Sequence, residues 1–391
     1  MKISRRSFLQ RLCALVGTGM LLRRLPAIGT AEAISGDERA SPLIARVTRP
    51  YDAETPVRAF SSFLTPTKSF FVRSHFGPPA PELLTESNWT LRIGGMVDRP
   101  KSFSLADLRR MNPMTLTAVM QCSGNGRTFY EPKVPGVQWA RGAVGNAEWT
   151  GVRLRDLLEQ VGVRGDAQHV QFQGADRPIT SSVPLFVRSI PLKKAIHPDT
   201  LLAYQMNGDP LPLLHGAPLR VITPGWMAES CIKWLTEITV QAAEATGYYM
   251  QTAYRTPAGP GASGDRDVML PVEAMVVKSL ITSPENGDEV QQGAVPVQGV
   301  AWSGEARIRK VDVSVDAGAT WEPARLIGDD RPYAWRQWQF DWKPRQDGIC
   351  KVLSRATDEQ GAVQPVVSPW NPGGFLWNGW DSVTLHVRSR L

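Results

Sequence analysis

Apolar and polar side chains alternate over Trp89-Thr90-Leu91-Arg92-Ile93, the period of a strand with one buried face. Ser104 stands before Leu105 and Leu108, where a hydroxyl can cap a short helix. Leu116 to Met120 reads as a strand. Leu154, Leu157, Leu158 and Val161 then recur at helical spacing, and Val170 and Phe172 return to strand alternation. Strands and helices interleave to about Tyr254, which predicts an α+β or mixed α/β domain. The run from Thr256 to Gly264, rich in Gly and Pro, predicts a loop. Beyond about residue 275 the helical period disappears. Val311, Val313 and Val315 alternate with Asp312, Ser314 and Asp316 ahead of an Asp316-Ala317-Gly318 turn, and Val383, Leu385 and Val387 alternate near the end. Short strands divided by turns predict an immunoglobulin-like β-sandwich. Residues 34–70, polar with interspersed prolines, read as an extended entry segment. The expected organisation is a leader over 1–33, a catalytic domain over 34–274 and a sandwich over 275–391.

The 391 residues suffice for two sizeable cores, and 42% hydrophobic against 21% charged is ordinary for a globular protein. A formal charge of +7 suggests a polyanion partner until its distribution is examined. Residues 1–33 hold Lys2, Arg5, Arg6, Arg11, Arg23 and Arg24 against Glu32 alone, so little positive charge remains elsewhere. A general nucleic-acid binder is thereby excluded. The leader resembles a twin-arginine export signal: Ser4-Arg5-Arg6-Ser7-Phe8-Leu9, an uncharged stretch from Leu12 to Leu22, and small residues at Ala31-Glu32-Ala33. That stretch is too short for a bilayer, which takes about 20 residues as a helix. The expectation is export to the periplasm without a stable membrane span.

Cys13 lies in the leader, which leaves Cys122, Cys231 and Cys350, an odd number. No HExxH or paired CxxC occurs, so an ordinary zinc site is not expected. Cys122 follows the strand-like run to Met120 and precedes Ser123-Gly124-Asn125-Gly126, with Arg127 close enough to favour a thiolate. Such a cysteine can be a nucleophile, a soft-metal ligand or a small buried apolar residue. The glycines lack both GxGxxG and a following Lys-Ser/Thr, which argues against a phosphate loop.

Four segments carry a resemblance: Phe70 to Pro79 with Arg73 and His75, Met120 to Arg127 with Pro135 to Trp139, Asn207 to Trp234, and Gln251 to Arg255. In this order they resemble the sulfite oxidase family of molybdopterin enzymes, from about Ser69 to the C-terminus. The resemblance implies that Cys122 binds molybdenum beside the two dithiolene sulfurs of one pyranopterin, as suits a soft thiolate. It places Arg73 and Arg127 in an oxyanion pocket, where guanidinium groups hold sulfite and sulfate. Tyr254 matches a tyrosine facing the metal's equatorial oxo group, and Trp139 matches a pocket-wall tryptophan. His75, Asp176, His215, Arg220 and Lys233 match residues that hold the pterin or its phosphate. On the residues alone, Trp139 also reads as packing and Asp176-Arg177-Pro178 also reads as a turn.

One departure stands out. Animal and plant members carry a pocket arginine in a Trp-Asn-Leu-Arg-Gly sequence; here Trp370-Asn371-Pro372-Gly373-Gly374 puts Gly373 at that place. The chain looks more like bacterial members. Neither His-Pro-Gly-Gly nor CxxCH occurs, so no haem is expected in this chain, and electrons would pass to a separate c-type cytochrome. The resemblance implies oxidation of sulfite to sulfate and homodimerisation through the sandwich. A molybdenum subunit acting on protein-bound sulfane sulfur, a periplasmic sulfoxide reductase, and an exported immunoglobulin-like binding protein are the alternative readings.

Overall fold

The computed structural model describes residues 43–258 and 268–389. The expected twin-arginine leader and residues 259–264 of the Gly/Pro-rich loop lie outside them. Residues 256 and 257 of that loop belong instead to a strand, Arg255–Pro257, paired with Met269–Pro271.

Two five-stranded sheets build the first part of the fold. One is mixed, in the order Lys101–Phe103, Leu91–Gly95, Leu235–Gln241, His169–Gly174, Val187–Pro191, with Leu91–Gly95 parallel to Leu235–Gln241. The helix Leu154–Val161 turns Leu154, Leu157, Leu158 and Val161 inward onto Val170, Phe172 and Ile238 of this sheet. Each such aliphatic side chain contributes about 1.5–3 kcal/mol by leaving water. Ser104 caps the helix Leu105–Arg109 in a reciprocal capping box with Asp107. The other sheet is antiparallel and contains Met114–Gln121, Val144–Arg153 and Leu201–Met206, with Arg220–Ile222 on the outer side of Leu201–Met206.

From Lys278 the chain forms a sandwich. Lys278–Ser283, Val295–Trp302, Arg336–Trp342 and Arg325–Ile327 form one sheet. The facing sheet contains Ile308–Ser314, Gly348–Asp358 and Asp381–Arg388. Ile281, Val297 and Ala301 meet Val313, Val352 and Leu385 between them. The architecture is therefore mixed α/β followed by a β-rich domain, as the alternation predicts.

The two parts share contacts at the end of the strand Met114–Gln121. Val119 N donates to Tyr333 O at 2.9 Å, Trp302 Nε1 to Gln121 Oε1 at 2.7 Å, and Leu376 N to Ser123 O at 2.9 Å. The entry segment differs from its expected extended form. Ile44–Thr48 and Tyr51–Glu54 make a hairpin, and Ala53 exchanges both backbone hydrogen bonds with Val72. That ties the hairpin beside Arg73.

Candidate active site

Cys122 follows directly on the strand Met114–Gln121. Its N–H donates to Ala143 O and its carbonyl accepts from Asn125 N, both at 2.9 Å, while Asn125 Oδ1 accepts from Ala143 N at 3.1 Å. Gly126 completes the turn at φ +94°, and a Cβ there would lie 2.7 Å from the Trp377 ring. The turn accepts only glycine for both reasons. The thiol is buried, and burial pushes its pKa up while the charges of Arg73 and Arg127 pull it back. A bound metal would complete that deprotonation.

A cavity opens at Cys122. Arg73, His75 and Tyr254 line it together. His75 Nε2 lies 2.8 Å from the Tyr254 hydroxyl and Arg73 Nη2 lies 3.2 Å from His75 Nδ1. Burial works against the charge on Arg73, but Tyr254, Asp52 and Cys122 hold its pKa above the ordinary value. Burial and the charges of Arg73 and Lys233 push His75 down to about 2, so its ring is neutral. Burial raises Tyr254 to about 12, so its phenol stays protonated. Tyr254 also has φ +54°, a strained conformation of the kind found at functional sites.

His215, Arg220, Lys233 and Asp176 line the same cavity. Arg220 gives Nη1 to His215 O at 2.9 Å and Nη2 to Cys231 O at 3.2 Å, and its guanidinium lies 5.0 Å from the Trp149 ring centre. Lys233 Nζ donates to Leu214 O at 2.9 Å and lies over Trp234. Desolvation lowers Lys233 to about 7 and, with the neighbouring cations Lys233 and Arg220, lowers His215 to about 3. Burial raises Asp176 to about 6, against the pull of Lys233. An anion placed here would restore the charge on Lys233.

The other two candidate residues do not border the cavity. Arg127 is held behind the cysteine turn: Nε and Nη2 donate to Gly373 O at 3.3 and 3.1 Å, and Nη1 to Val137 O at 3.0 Å. Trp139 is fully buried and packs with Phe70, Phe71 and Cys122 in one apolar cluster. Its indole N–H has no hydrogen-bond partner.

Two acidic residues outside the motifs belong to the site. Asp52, on the hairpin, pairs with Arg73 Nη1 at 3.1 Å. Glu229 borders the cavity, and burial raises it to about 7 against the field of Arg188. Proximity in sequence signals neither, since their partners are distant along the chain. Cys231 and Cys350 are free thiols, so neither pairs with the other.

The family "Oxidoreductase molybdopterin binding domain" matches residues 76–249, and "Mo-co oxidoreductase dimerisation domain" matches residues 270–388. The chain is 34% identical to the mitochondrial sulfite oxidase of Rattus norvegicus over 93% of its own length and 69% of that protein. It is 33% identical to the sulfite oxidase of Arabidopsis thaliana, covering 93% of this chain and 99% of the relative. Among solved structures, the sulfane dehydrogenase SoxCD from Paracoccus pantotrophus superposes with a TM-score of 0.76 at 27% identity, covering 95% of this chain and 96% of that one.

The cavity suits the cofactor those families bind. Arg220 Nε, Ser123 Oγ and both Glu229 oxygens are buried without a hydrogen-bond partner. They leave donors and acceptors for a pterin ring, while Lys233 and Arg220 suit its anionic tail. Among the described residues no three His, Cys, Asp or Glu side chains converge as a metal site. A metal at Cys122 would therefore draw on ligands such as a dithiolene. The chain belongs to the sulfite oxidase family of molybdenum-molybdopterin oxidoreductases.

Proposed function

We propose that the protein oxidises sulfite to sulfate in the periplasm and passes the electrons to a separate c-type cytochrome. The observation that carries this reading is that Arg73, Cys122 and Tyr254 line one cavity, so a sulfur oxyanion held by Arg73 would lie beside the thiol and the phenol. When bound, the cofactor supplies two-electron oxygen-atom transfer. Arg73 holds the oxyanion by charge-assisted hydrogen bonds. His75, neutral, adds no competing charge, and Tyr254 keeps its proton for hydrogen bonding. The reaction takes sulfite and water to sulfate with release of two protons and two electrons, so it needs an electron acceptor. Lys233, Arg220, His215, Asp176 and His75 would hold the pterin and its phosphate.

The likeness to a sulfane dehydrogenase over nearly the whole chain supports a second reading, oxidation of protein-bound sulfane sulfur. Gly373, without the pocket arginine, is compatible with it. The assay that separates the two supplies sulfite or a sulfane-bearing protein to the purified enzyme and follows cytochrome c reduction. Turnover with sulfite supports the first reading; turnover confined to the sulfane-bearing protein supports the second.

Export and dimerisation complete the proposal. The twin-arginine pattern supports export of the folded holoenzyme, and replacing Arg5 and Arg6 with Lys should then retain it in the cytoplasm. The match of residues 270–388 to a dimerisation domain supports a homodimer. No described helix is long and apolar enough to cross a membrane.

A further inference from the structure

We propose that Asp52 is a positioning residue that acts through Arg73 and His75 to aim the hydroxyl proton of Tyr254 into the cavity. Asp52 lies outside the residues matched by either family domain and is almost wholly buried on the strand Tyr51–Glu54. Its carboxylate accepts from Arg73 Nη1 at 3.1 and 3.3 Å and from Ser74 N at 2.8 Å. Arg73 Nη1 also donates to Ser74 O. One face of the guanidinium edge is thus fixed by Asp52 and the backbone. Its other nitrogen, Nη2, is left to meet the imidazole, at 3.2 Å from Nδ1 and 3.5 Å from Nε2.

The direction of the chain follows from donor and acceptor capacity. Arginine only donates, so the imidazole nitrogen nearer to it must accept. Nδ1 is that atom, and a neutral imidazole then carries its hydrogen on Nε2. Nε2 lies 2.8 Å from the Tyr254 oxygen and donates to it. The phenol oxygen, already an acceptor, keeps its own hydrogen for another partner. With the opposite tautomer, the N–H at Nδ1 would stand 3.2 Å from the donor Nη2, closer than the 3.5 Å that separates Nη2 from Nε2. Tyr254 lines the cavity beside Cys122, so its free hydrogen faces whatever occupies that space. Asp52, separated from Tyr254 by Arg73 and His75, holds the first member of this chain. The hairpin that carries it is held in turn by the reciprocal hydrogen bonds between Ala53 and Val72, at 2.9 and 2.8 Å.

The inference rests on the sulfite reading for its kinetic test but not for its spectroscopic one. Nitrogen NMR of the holoenzyme labelled at histidine should show His75 as the Nε2–H tautomer, assigned by loss of the signal in His75→Gln. In Asp52→Asn, which keeps the shape of the side chain, the signal should move toward a mixture of tautomers. Sulfite kcat/KM should fall about tenfold in Asp52→Asn, and that loss should vanish in a Tyr254→Phe background, because the pair acts as one unit. A purely structural role for Asp52 would give a loss of the same size in both backgrounds. An Nδ1–H tautomer in the wild-type protein, or additive effects of the two substitutions, would overturn the proposal. If the wild-type enzyme does not oxidise sulfite, the substrate assignment fails on its own, and the tautomer measurement still decides the role of Asp52.

Discussion

Arg127 gives two of its guanidinium hydrogen bonds to the carbonyl oxygen of Gly373, at 3.3 and 3.1 Å, across 246 positions of the chain. The third goes to Val137 O, and the guanidinium lies 5.3 Å from the Phe375 ring centre. Arg127 therefore acts as a clamp between the cysteine turn and the loop of residues 371–377. Arg73, unlike Arg127, lines the cavity beside Cys122. Arg73→Gln should raise the sulfite KM by about ten- to a hundredfold, the loss of one charge-assisted hydrogen-bonding partner. Arg127→Gln should leave KM nearly unchanged and lower the melting temperature. Steady-state kinetics with thermal unfolding on both variants checks this, and an equal rise in KM would return Arg127 to the substrate pocket.

By the family resemblance, Gly373 stands where a pocket arginine is expected. A Cβ there would lie 2.2 Å from the Phe375 ring, so restoring the cation is not a neutral change. That ring stacks on Tyr254 with centroids 5.4 Å apart. Gly373→Arg should therefore displace Phe375, disturb Tyr254 and lower kcat. It should not simply tighten inhibition by sulfate. Sulfate inhibition and kcat measured on the same variant decide between these outcomes.

Local chemistry made much of the scaffold readable. Ser104 before Leu105 signals a cap, the spacing of Leu154 to Val161 signals a helix, and Cys122 at a strand end before Ser-Gly-Asn-Gly signals a tight turn. What sequence did not carry is the direction in which a side chain points once the chain has closed on itself. Arg127 is five residues from Cys122, yet a carbonyl contributed by the sandwich end of the chain sets its orientation. Asp52 sits in a segment whose prolines and polar residues read as an extended lead-in. Only the pairing of Ala53 with Val72 brings its carboxylate to Arg73. Glu229 was equally hidden, because Arg188 and Ser123, which surround it, come from separate strands and turns.

Tyr254 keeps its proton over the working range of pH, since burial raises it to about 12. Removing the hydroxyl by Tyr254→Phe should lower kcat by about ten- to a hundredfold with a smaller effect on KM, if its hydrogen bond strengthens as the reaction proceeds. The wild-type profile of kcat against pH should show no alkaline limb from this group below about pH 11. A limb near pH 9 that Tyr254→Phe abolishes would contradict the protonation state assigned here.

Lys278 is fully buried at the start of the sandwich, and its Nζ has no hydrogen-bond partner and lies 4.8 Å from the centre of the Trp377 ring. Burial depresses its pKa from 10.5 to about 7. Between these values the unfolded chain binds a proton that the folded one does not, so stability rises with pH across that window. The slope is at most about 1.4 kcal/mol per pH unit. Below about pH 7 the folded protein carries the full cost of the buried charge. Lys278→Met should therefore melt higher than wild type near pH 6.5, with a difference that shrinks toward pH 10. Melting temperatures at several pH values test this; parallel curves would show that Lys278 does not titrate as described.

The central claim is that Cys122 binds molybdenum inside the cavity it shares with Arg73 and Tyr254. X-ray absorption at the molybdenum edge of the purified holoenzyme counts the sulfur atoms around the metal directly. Three sulfurs are expected in the wild-type protein, two from the dithiolene and one from Cys122, falling to two in Cys122→Ser with the molybdenum retained. Three sulfurs in both proteins would contradict the account, because the third ligand would then not be Cys122.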